Sequence, residues 1–239
     1  MAATYSGLTS QLISAGNGVD YAYRDTGSGG TTPDTIGQTV RDAIAFLAAM
    51  GLDQADLLGF SIGSFVAQEI ALTRPGLVRR LILASSAPQG AAGMHGWAAD
   101  VIGAAGRPEP SPEGYLGIFF TGSTASRQAG QEALQRMQAR TQDRDKATTW
   151  ETRLAQYDAV CDWGIPNHAL LQRLSALSMP VLVANGDSDP MILPHYSYLL
   201  GGLIPQASVK IYPDSAHGFL FQHGAQFAAD VEDFLGSPT

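Results

Sequence analysis

Short runs of consecutive apolar residues recur along the chain. They are DLLGF (56–60), RRLILASS (79–86), PVLVAN (180–185) and SVKIYP (208–213). Continuous apolar runs of this length are typical of strands that are buried on both faces of a parallel sheet. Helix-spaced apolar positions lie between them, so strands alternate with helices. This alternation predicts a three-layer α/β sandwich with a mostly parallel sheet.

Helical patterns fill the intervals between the strand candidates. Apolar spacing over 36–47 predicts a helix that starts near Thr35, where Thr35 and Gln38 can form a capping box, and that stops at Gly51. Further helices are predicted over 62–73, 194–205 and 227–235, and a β-hairpin is predicted over 10–27 around Gly16-Asn17-Gly18.

Residues 88–178 break the alternation of strands and helices. Their first part is rich in Gly, Ala and Pro, and helical patterns follow at 127–140, 148–157 and 168–177. The segment is too long for a simple connection between two strands. We interpret it as a mostly helical insertion before the last two strands, with 1–87 and 179–239 forming the core.

Composition and charge narrow the class of protein. The chain has 239 residues, of which 45% are hydrophobic, enough for one α/β domain with an insertion. Its net charge of −8 argues against nucleic acid and anionic membranes as partners. Neither a signal peptide nor a membrane-spanning apolar run is found, and Cys161 is the single cysteine. We expect a cytoplasmic protein in which Cys161 is a passive, buried or half-buried thiol.

The segment GFSIG at 59–63 joins the first of these strands to a helix. A serine at such a junction is either a helix cap or a nucleophile. The second interpretation requires strained backbone at Ser61, with Gly59 and Gly63 leaving room for the turn. It also places the Ile62 N–H at a helix N-terminus, where it can donate to an oxyanion. We favour the nucleophile, because a buried strand precedes the serine and a helix follows it at once.

A serine nucleophile needs a general base, and the chain has five histidines. They are His95, His168, His195, His217 and His223. His217 lies in the loop immediately after the last strand candidate. Loops at the carboxyl ends of parallel strands gather at the edge of the sheet where ligands bind. His217 is therefore the predicted base.

The base needs an acid that orients it, and the loop after PVLVAN supplies two carboxyl groups. Asp187 and Asp189 both lie between Ser61 and His217 along the chain, which is one known order of such a triad. The residues by themselves leave both aspartates open, with the other one capping the turn.

Three motifs make the chain resemble the α/β-hydrolase superfamily. They are GFSIGS (59–64), ANGDSDPMILP (184–194) and DSAHGFLFQ (214–222). The likeness is to the serine-nucleophile branch with a lid, which comprises esterases, C–C hydrolases and cofactor-free perhydrolases. The family's acid loop reads Gly-x-x-Asp followed by a hydrophobic residue and Pro, and from Gly186 this pattern selects Asp189. The resemblance also makes His217 the base and 88–178 the lid.

The chain departs from the family pattern after the hairpin. Family members have two further strands and a His-Gly oxyanion loop in this region, whereas Gly30 is followed directly by Thr31 and the first helix. About forty residues of the pattern are absent, judged against the length of such a unit. The sheet is therefore expected to be truncated in its middle, with DLLGF at an edge. A true deletion, an omitted segment or a strand supplied by a partner chain in a homodimer would each explain this.

The expected function is a serine hydrolase that cleaves a small, largely apolar ester or related carbonyl compound through an acyl-enzyme. Ser61 attacks, His217 transfers the proton, Asp189 holds the imidazole and Ile62 N–H donates to the oxyanion. The alternatives are a cofactor-free perhydrolase or haloperoxidase and a non-catalytic binding protein with the same fold.

Trp163, Ile192 and Phe219 are the candidate substrate-binding residues. Packing within the lid is the simpler role for Trp150 and Trp163. Neither a metal nor an organic cofactor is predicted, because the histidines lack ligand spacing and the chain has no Gly-x-Gly-x-x-Gly motif.

Overall fold

The computed structural model describes residues 11–14, 20–23, 35–94, 96–107, 109, 111–139, 141–142 and 148–237. The strands within these ranges are β1 (Gln11–Ser14), β2 (Asp20–Tyr23), β3 (Ala55–Phe60), β4 (Val78–Ala84), β5 (Val181–Gly186) and β6 (Ala207–Tyr212). The helices are α1 (Ile36–Ala49), α2 (Ile62–Thr73), α3 (Ala99–Ala105), α4 (Pro112–Phe119), α5 (Thr124–Gln138), α6 (Trp150–Trp163), α7 (His168–Gln172), α8 (His195–Leu203), α9 (Phe219–Gln222) and α10 (Gly224–Gly236).

A parallel sheet in the order β3-β4-β5-β6 forms the centre of the structure. At its carboxyl edge Phe60 lies beside Ala84, Ala84 beside Ala184, and Gly186 beside Tyr212. Because these strands run in one direction, the loops that follow them meet along a single edge of the sheet.

Helices cover both faces of the sheet, since successive strand residues point to opposite sides. Leu81 and Leu83 of β4 belong to the core that α1, α2 and α8 complete. Ile82 and Ala84 face the other way and belong to the core that Phe227 of α10 completes. The predicted three-layer arrangement with a mostly parallel sheet is confirmed.

The first helix follows its sequence signals at both ends. Thr35 Oγ1 accepts a hydrogen bond from Gln38 N at 3.1 Å, and Gly51, at φ 71°, follows the last turn. The Gln38 side chain bonds to Asp42 instead of reaching back to Thr35, so only half of the capping box forms.

The helices α3 to α7 lie between β4 and β5, inside the predicted insertion. The last three match the helical patterns of the sequence. The helices α3 and α4 were not predicted, because their Gly- and Ala-rich sequence lacks a clear apolar period. Across the described ranges, no helix is both long enough and apolar enough to span a bilayer.

The hairpin strands β1 and β2 pair antiparallel, with Ser14 opposite Asp20. This confirms the two strands predicted around Gly16-Asn17-Gly18, while the turn itself, 15–19, lies outside the described residues. The junction at Gly30 and Thr31 lies outside them too.

The strand β3 lies at an edge of the sheet. In the part of the chain that the structure describes, it pairs with β4 alone. Leu58, near its middle, is 49% exposed. The outer N–H and C=O groups of this apolar strand therefore face no other described strand. An unpaired strand edge of this kind can pair with another chain.

We expect Leu58→Lys to reduce self-association, because a charge on a sheet edge opposes pairing with another chain. The free energy of unfolding should change by less than about 1 kcal/mol, since the side chain is already half exposed. Light scattering during refolding and urea denaturation measure the two quantities.

The matched control is Leu52→Lys, which changes a leucine that is 42% exposed in the loop after α1 and should leave self-association unchanged. A loss of more than about 2 kcal/mol in Leu58→Lys would show instead that Leu58 is covered in the folded protein.

Candidate active site

The backbone turns sharply between β3 and α2. Ser61 has φ 54° and ψ −126°, outside the conformations usual for an L-residue, and its N–H bonds to Ala84 O at 3.0 Å. Its hydroxyl makes no capping hydrogen bond to α2. The strained backbone expected at this serine is therefore present, and the capping interpretation of Ser61 is wrong.

The two glycines of the turn have different surroundings. A Cβ on Gly59 would lie 2.3 Å from Gly63 O and 2.5 Å from Ser64 Cα, so the position admits only glycine. A Cβ on Gly63 would meet no described atom within 4 Å. Of the two, Gly59 alone is needed for the close approach of strand and helix.

His217 connects the serine to a carboxylate. Its Nε2 lies 3.0 Å from Ser61 Oγ, and its Nδ1 lies 2.8 Å from Asp189 Oδ2. The imidazole is almost fully buried, and the rings of Phe60 and Phe119 lie 5.0 and 5.2 Å from it. The three side chains that the sequence pointed to are thus brought into one hydrogen-bonded chain.

The loop after β5 holds the Asp189 carboxylate from behind. Asp189 Oδ1 accepts hydrogen bonds from Met191 N at 2.8 Å and Ile192 N at 2.9 Å. The other oxygen is left to face His217. Since the backbone fixes the plane of the carboxylate, it also fixes the direction in which the imidazole N–H points.

Asp187 has a structural position instead. Its Oδ2 accepts from Asp214 N at 2.9 Å, and its Oδ1 accepts from Ser215 N at 3.2 Å. It therefore ties the loop after β5 to the loop after β6. The alternative that the sequence left open, Asp187 beside the imidazole, is not what the structure has.

Two buried residues behind the imidazole were given no role by the sequence: Ser85, which lies in no motif, and Asn185, an unassigned position of the 184–194 motif. Ser85, with φ 46°, donates from Oγ to Asn185 Oδ1 at 3.0 Å and lies 3.1 Å from His217 O. Asn185 Nδ2 donates to Ile192 O at 2.9 Å. Both residues end or follow a strand, and their position at the carboxyl edge of the sheet was the one signal that could have identified them.

The N-terminus of α2 lies directly behind the hydroxyl of Ser61. The Ile62 N–H is in the first turn and makes no hydrogen bond to any residue that the structure describes. A free amide at a helix N-terminus can donate to negative charge that develops on an adjacent oxygen. The GSGG segment, which could offer a second donor, lies outside the described residues.

A small apolar pocket of about 60 Å³ opens beside Ser61. Among the residues that line it are Ile62, Phe65, Met94, Val160 and Ile192. Helix α6 forms one wall and the loop after β5 another. Ile192, one of the three predicted substrate-binding residues, lines this pocket.

The other two predicted binding residues lie outside this pocket. Trp163 is 2% exposed, stacks on Phe65 and donates from Nε1 to Ala87 O at 3.0 Å, so it packs the inserted helices onto the core. Phe219 is fully buried between Tyr212 and Phe227 on the opposite face of the sheet. The position of Phe219 soon after a strand did not reveal that its side chain packs away from the carboxyl edge of the sheet.

The inserted segment is attached directly to the histidine loop. Gly218 N donates to Phe119 O at 2.9 Å at the end of α4. Asp214 accepts 2.6 Å hydrogen bonds from Ser123 Oγ and Thr121 Oγ1, and these bonds lower the pKa of its carboxyl. This part of the predicted lid is therefore anchored beside the base.

Cys161 differs from expectation, because it is exposed and not buried. Partial desolvation and the neighbouring Asp158 and Asp162 raise the pKa of its thiol. A thiol with a raised pKa forms little thiolate at neutral pH and is a poor nucleophile. The prediction of a passive cysteine is consistent with this environment.

Three other histidines are described, and none of them makes a hydrogen bond to Ser61. His168 and His195 begin α7 and α8, and His223 Nε2 lies 3.0 Å from Pro213 O. His95 lies outside the described residues. No group of His, Cys, Asp and Glu within the described ranges could hold a metal ion.

Comparison with known proteins decides the family. The model of the alpha/beta hydrolase fold family matches residues 25–224. The chain belongs to the α/β-hydrolase fold family. A solved α/β-hydrolase fold protein from Chitinophaga pinensis is similar at a TM-score of 0.88 and 30% identity, covering 99% of this chain and 100% of that one.

Curated relatives of this α/β-hydrolase fold protein include hydrolases. A pimeloyl-[acyl-carrier protein] methyl ester esterase from Salmonella paratyphi A is 30% identical over 79% of this chain and 73% of its own. A 2-hydroxymuconate semialdehyde hydrolase from Pseudomonas sp. (strain CF600) is 28% identical over 82% and 67%. A further relative, from Rhizobium rhizogenes, is 40% identical over 68 residues. The match covers 27% of this chain and 26% of that relative.

We expect Asp189→Asn to lower kcat/KM on an ester by about 10⁴-fold. The amide oxygen would keep the two backbone N–H donors, which turns the NH₂ group toward Nδ1 and favours the wrong imidazole tautomer. Asp187→Asn changes the same chemistry two residues away and should cost less than about tenfold. Equal losses in the two variants would show that Asp189 has no special relation to the base.

Proposed function

We propose that the protein is a serine hydrolase that cleaves a small, largely apolar ester or related carbonyl compound through an acyl-enzyme. The observation that carries the proposal is the buried chain of hydrogen bonds from Ser61 through His217 to Asp189. A helix-capping role would not require a buried imidazole, oriented by a carboxylate, next to the serine hydroxyl. The hydrolase relatives at 28–30% identity agree with this class of reaction.

The first half of the reaction forms the acyl-enzyme. Ser61 Oγ attacks the carbonyl carbon while His217 Nε2 takes its proton, and the carbonyl π electrons move onto oxygen. The Ile62 N–H donates to that oxyanion, and Asp189 stabilises the imidazolium without taking a proton. Collapse of the tetrahedral intermediate breaks the bond to the leaving alkoxide, which receives the proton from Nε2.

The second half returns the enzyme to its starting state. Water replaces the leaving alcohol on the His217 side, gives a proton to Nε2 and attacks the acyl carbon. The second tetrahedral intermediate collapses with cleavage of its bond to Ser61 Oγ, which receives the proton from Nε2, and the carboxylic acid is released. No metal or redox cofactor takes part in this proposed sequence.

The position of His217 divides the site into two sides. Since Nε2 must protonate the leaving group, that group lies on the side of the imidazole, near Phe60 and Phe119. The pocket beside Ser61 is not lined by His217 and therefore takes the acyl part.

We expect an alkyl fluorophosphonate to label Ser61 in the folded protein. The activated hydroxyl that attacks an ester carbonyl also attacks the phosphorus of this reagent. Peptide mapping by mass spectrometry identifies the labelled residue. Ser61→Ala should lose the label and at least about 10⁴-fold in kcat/KM on p-nitrophenyl esters.

The matched control for this labelling is Ser178→Ala, which removes an exposed serine before β5, at the end of the strand away from the acid loop, and should keep both label and activity. Correctly folded protein in which Ser61 stays unlabelled would favour the non-catalytic binding protein.

A further inference from the structure

The helix α6 presents a polar side chain to the acyl pocket. Gln156 lines the pocket together with Val160, which lies one turn further along the same helix face. Gln156 is half-buried, so its carboxamide is partly removed from water. The other walls of the pocket are mainly apolar, so a polar group there needs a hydrogen-bond partner when a ligand displaces water.

The other polar groups at the pocket already have partners. Trp97 Nε1 donates to Met191 O at 3.0 Å, and Tyr157 OH donates to Ala105 O. The Gln156 carboxamide, by contrast, makes no hydrogen bond to any residue in the described ranges. Within those ranges its N–H₂ donors and its oxygen acceptor are available to a ligand.

The size of the pocket limits the acyl group. A water molecule needs about 10–15 Å³ of such volume, so about 60 Å³ corresponds to roughly four to six non-hydrogen atoms. A chain of that length beyond the carbonyl carbon holds a short alkyl group and one substituent. A long fatty acyl chain would have to extend beyond the pocket.

We propose that Gln156 makes this pocket selective for short acyl groups that carry a hydrogen-bonding substituent, such as a hydroxyl or carbonyl group near the β carbon. The proposal rests on the serine hydrolase function and adds its substrate class. An apolar acyl group of the same shape fits the pocket but displaces water from the half-buried carboxamide without replacing its hydrogen bonds, which costs binding energy. Gln156 is thus a specificity-determining residue and takes no part in the bond-making steps.

A pair of esters of equal shape tests this selectivity. The p-nitrophenyl ester of β-hydroxybutyrate, as each enantiomer, is compared with that of isovalerate, in which a methyl group replaces the hydroxyl. The measured quantity is the ratio of their kcat/KM values. Comparing this ratio between wild type and variants cancels the difference in intrinsic reactivity of the two esters.

We expect Gln156→Leu and Gln156→Met to lower this ratio by about tenfold for the preferred enantiomer, the effect of one hydrogen bond. The isovalerate ester should be hydrolysed at least as well as by wild type. Gln172→Leu, which changes an exposed glutamine of α7 outside the pocket, should keep the wild-type ratio.

The outcomes separate this inference from the function on which it rests. A ratio that both Gln156 variants leave within about twofold of wild type, with both esters hydrolysed, overturns the role of Gln156 alone. Failure of the wild type to hydrolyse either ester, with no fluorophosphonate label on Ser61, overturns the hydrolase function and the selectivity together.

Discussion

The backbone of Ser61 is held in its left-handed conformation by hydrogen bonds on both sides. Its N–H bonds to Ala84 O of the neighbouring strand, and its carbonyl oxygen accepts from Ser64 N at 2.8 Å and Ser64 Oγ at 2.5 Å. Such a conformation costs of order 1–3 kcal/mol and persists only where its surroundings enforce it. The strain turns the hydroxyl out of the helix and toward His217. A relaxed turn would leave the same serine as a cap, so the proposed chemistry depends on this constraint.

The rest of the site is arranged around that hydroxyl by the parallel sheet. The loops after β5 and β6 carry the acid and the base, and Asp187 and Gly186 bring the two loops together. A Cβ on Gly186 would lie 2.3 Å from Ser215 O, so the close approach of the loops requires glycine there. The insertion then closes the pocket with α6 and fixes the histidine loop through Phe119. The small pocket beside Ser61 is therefore formed at the same edge of the sheet that positions the serine.

The sequence was most informative where a local pattern meets a strong physical requirement. Apolar runs predicted the parallel strands. Chain order left Asp187 and Asp189 both open as the acid, and the resemblance to the α/β-hydrolase family selected Asp189, which does lie within hydrogen-bonding distance of His217. It was least informative about orientation: Phe219 follows the same strand as His217 yet packs on the opposite face. Ser85 lies in no motif, and the 184–194 motif assigns no role to Asn185. Gln156 lies in a helix whose apolar spacing says nothing about its polar residues. Such roles depend on which surfaces the tertiary fold brings together.

The central claim, that Ser61 is acylated during turnover, is tested most directly with a small carbamate, p-nitrophenyl dimethylcarbamate. Carbamoyl-enzymes hydrolyse slowly, so the covalent intermediate accumulates, and the dimethylcarbamoyl group is small enough for the pocket. The account predicts release of one p-nitrophenol per chain, with the carbamoyl group found by mass spectrometry on the peptide that contains Ser61. Ester turnover that is inhibited by the carbamate while Ser61 stays unmodified would contradict it.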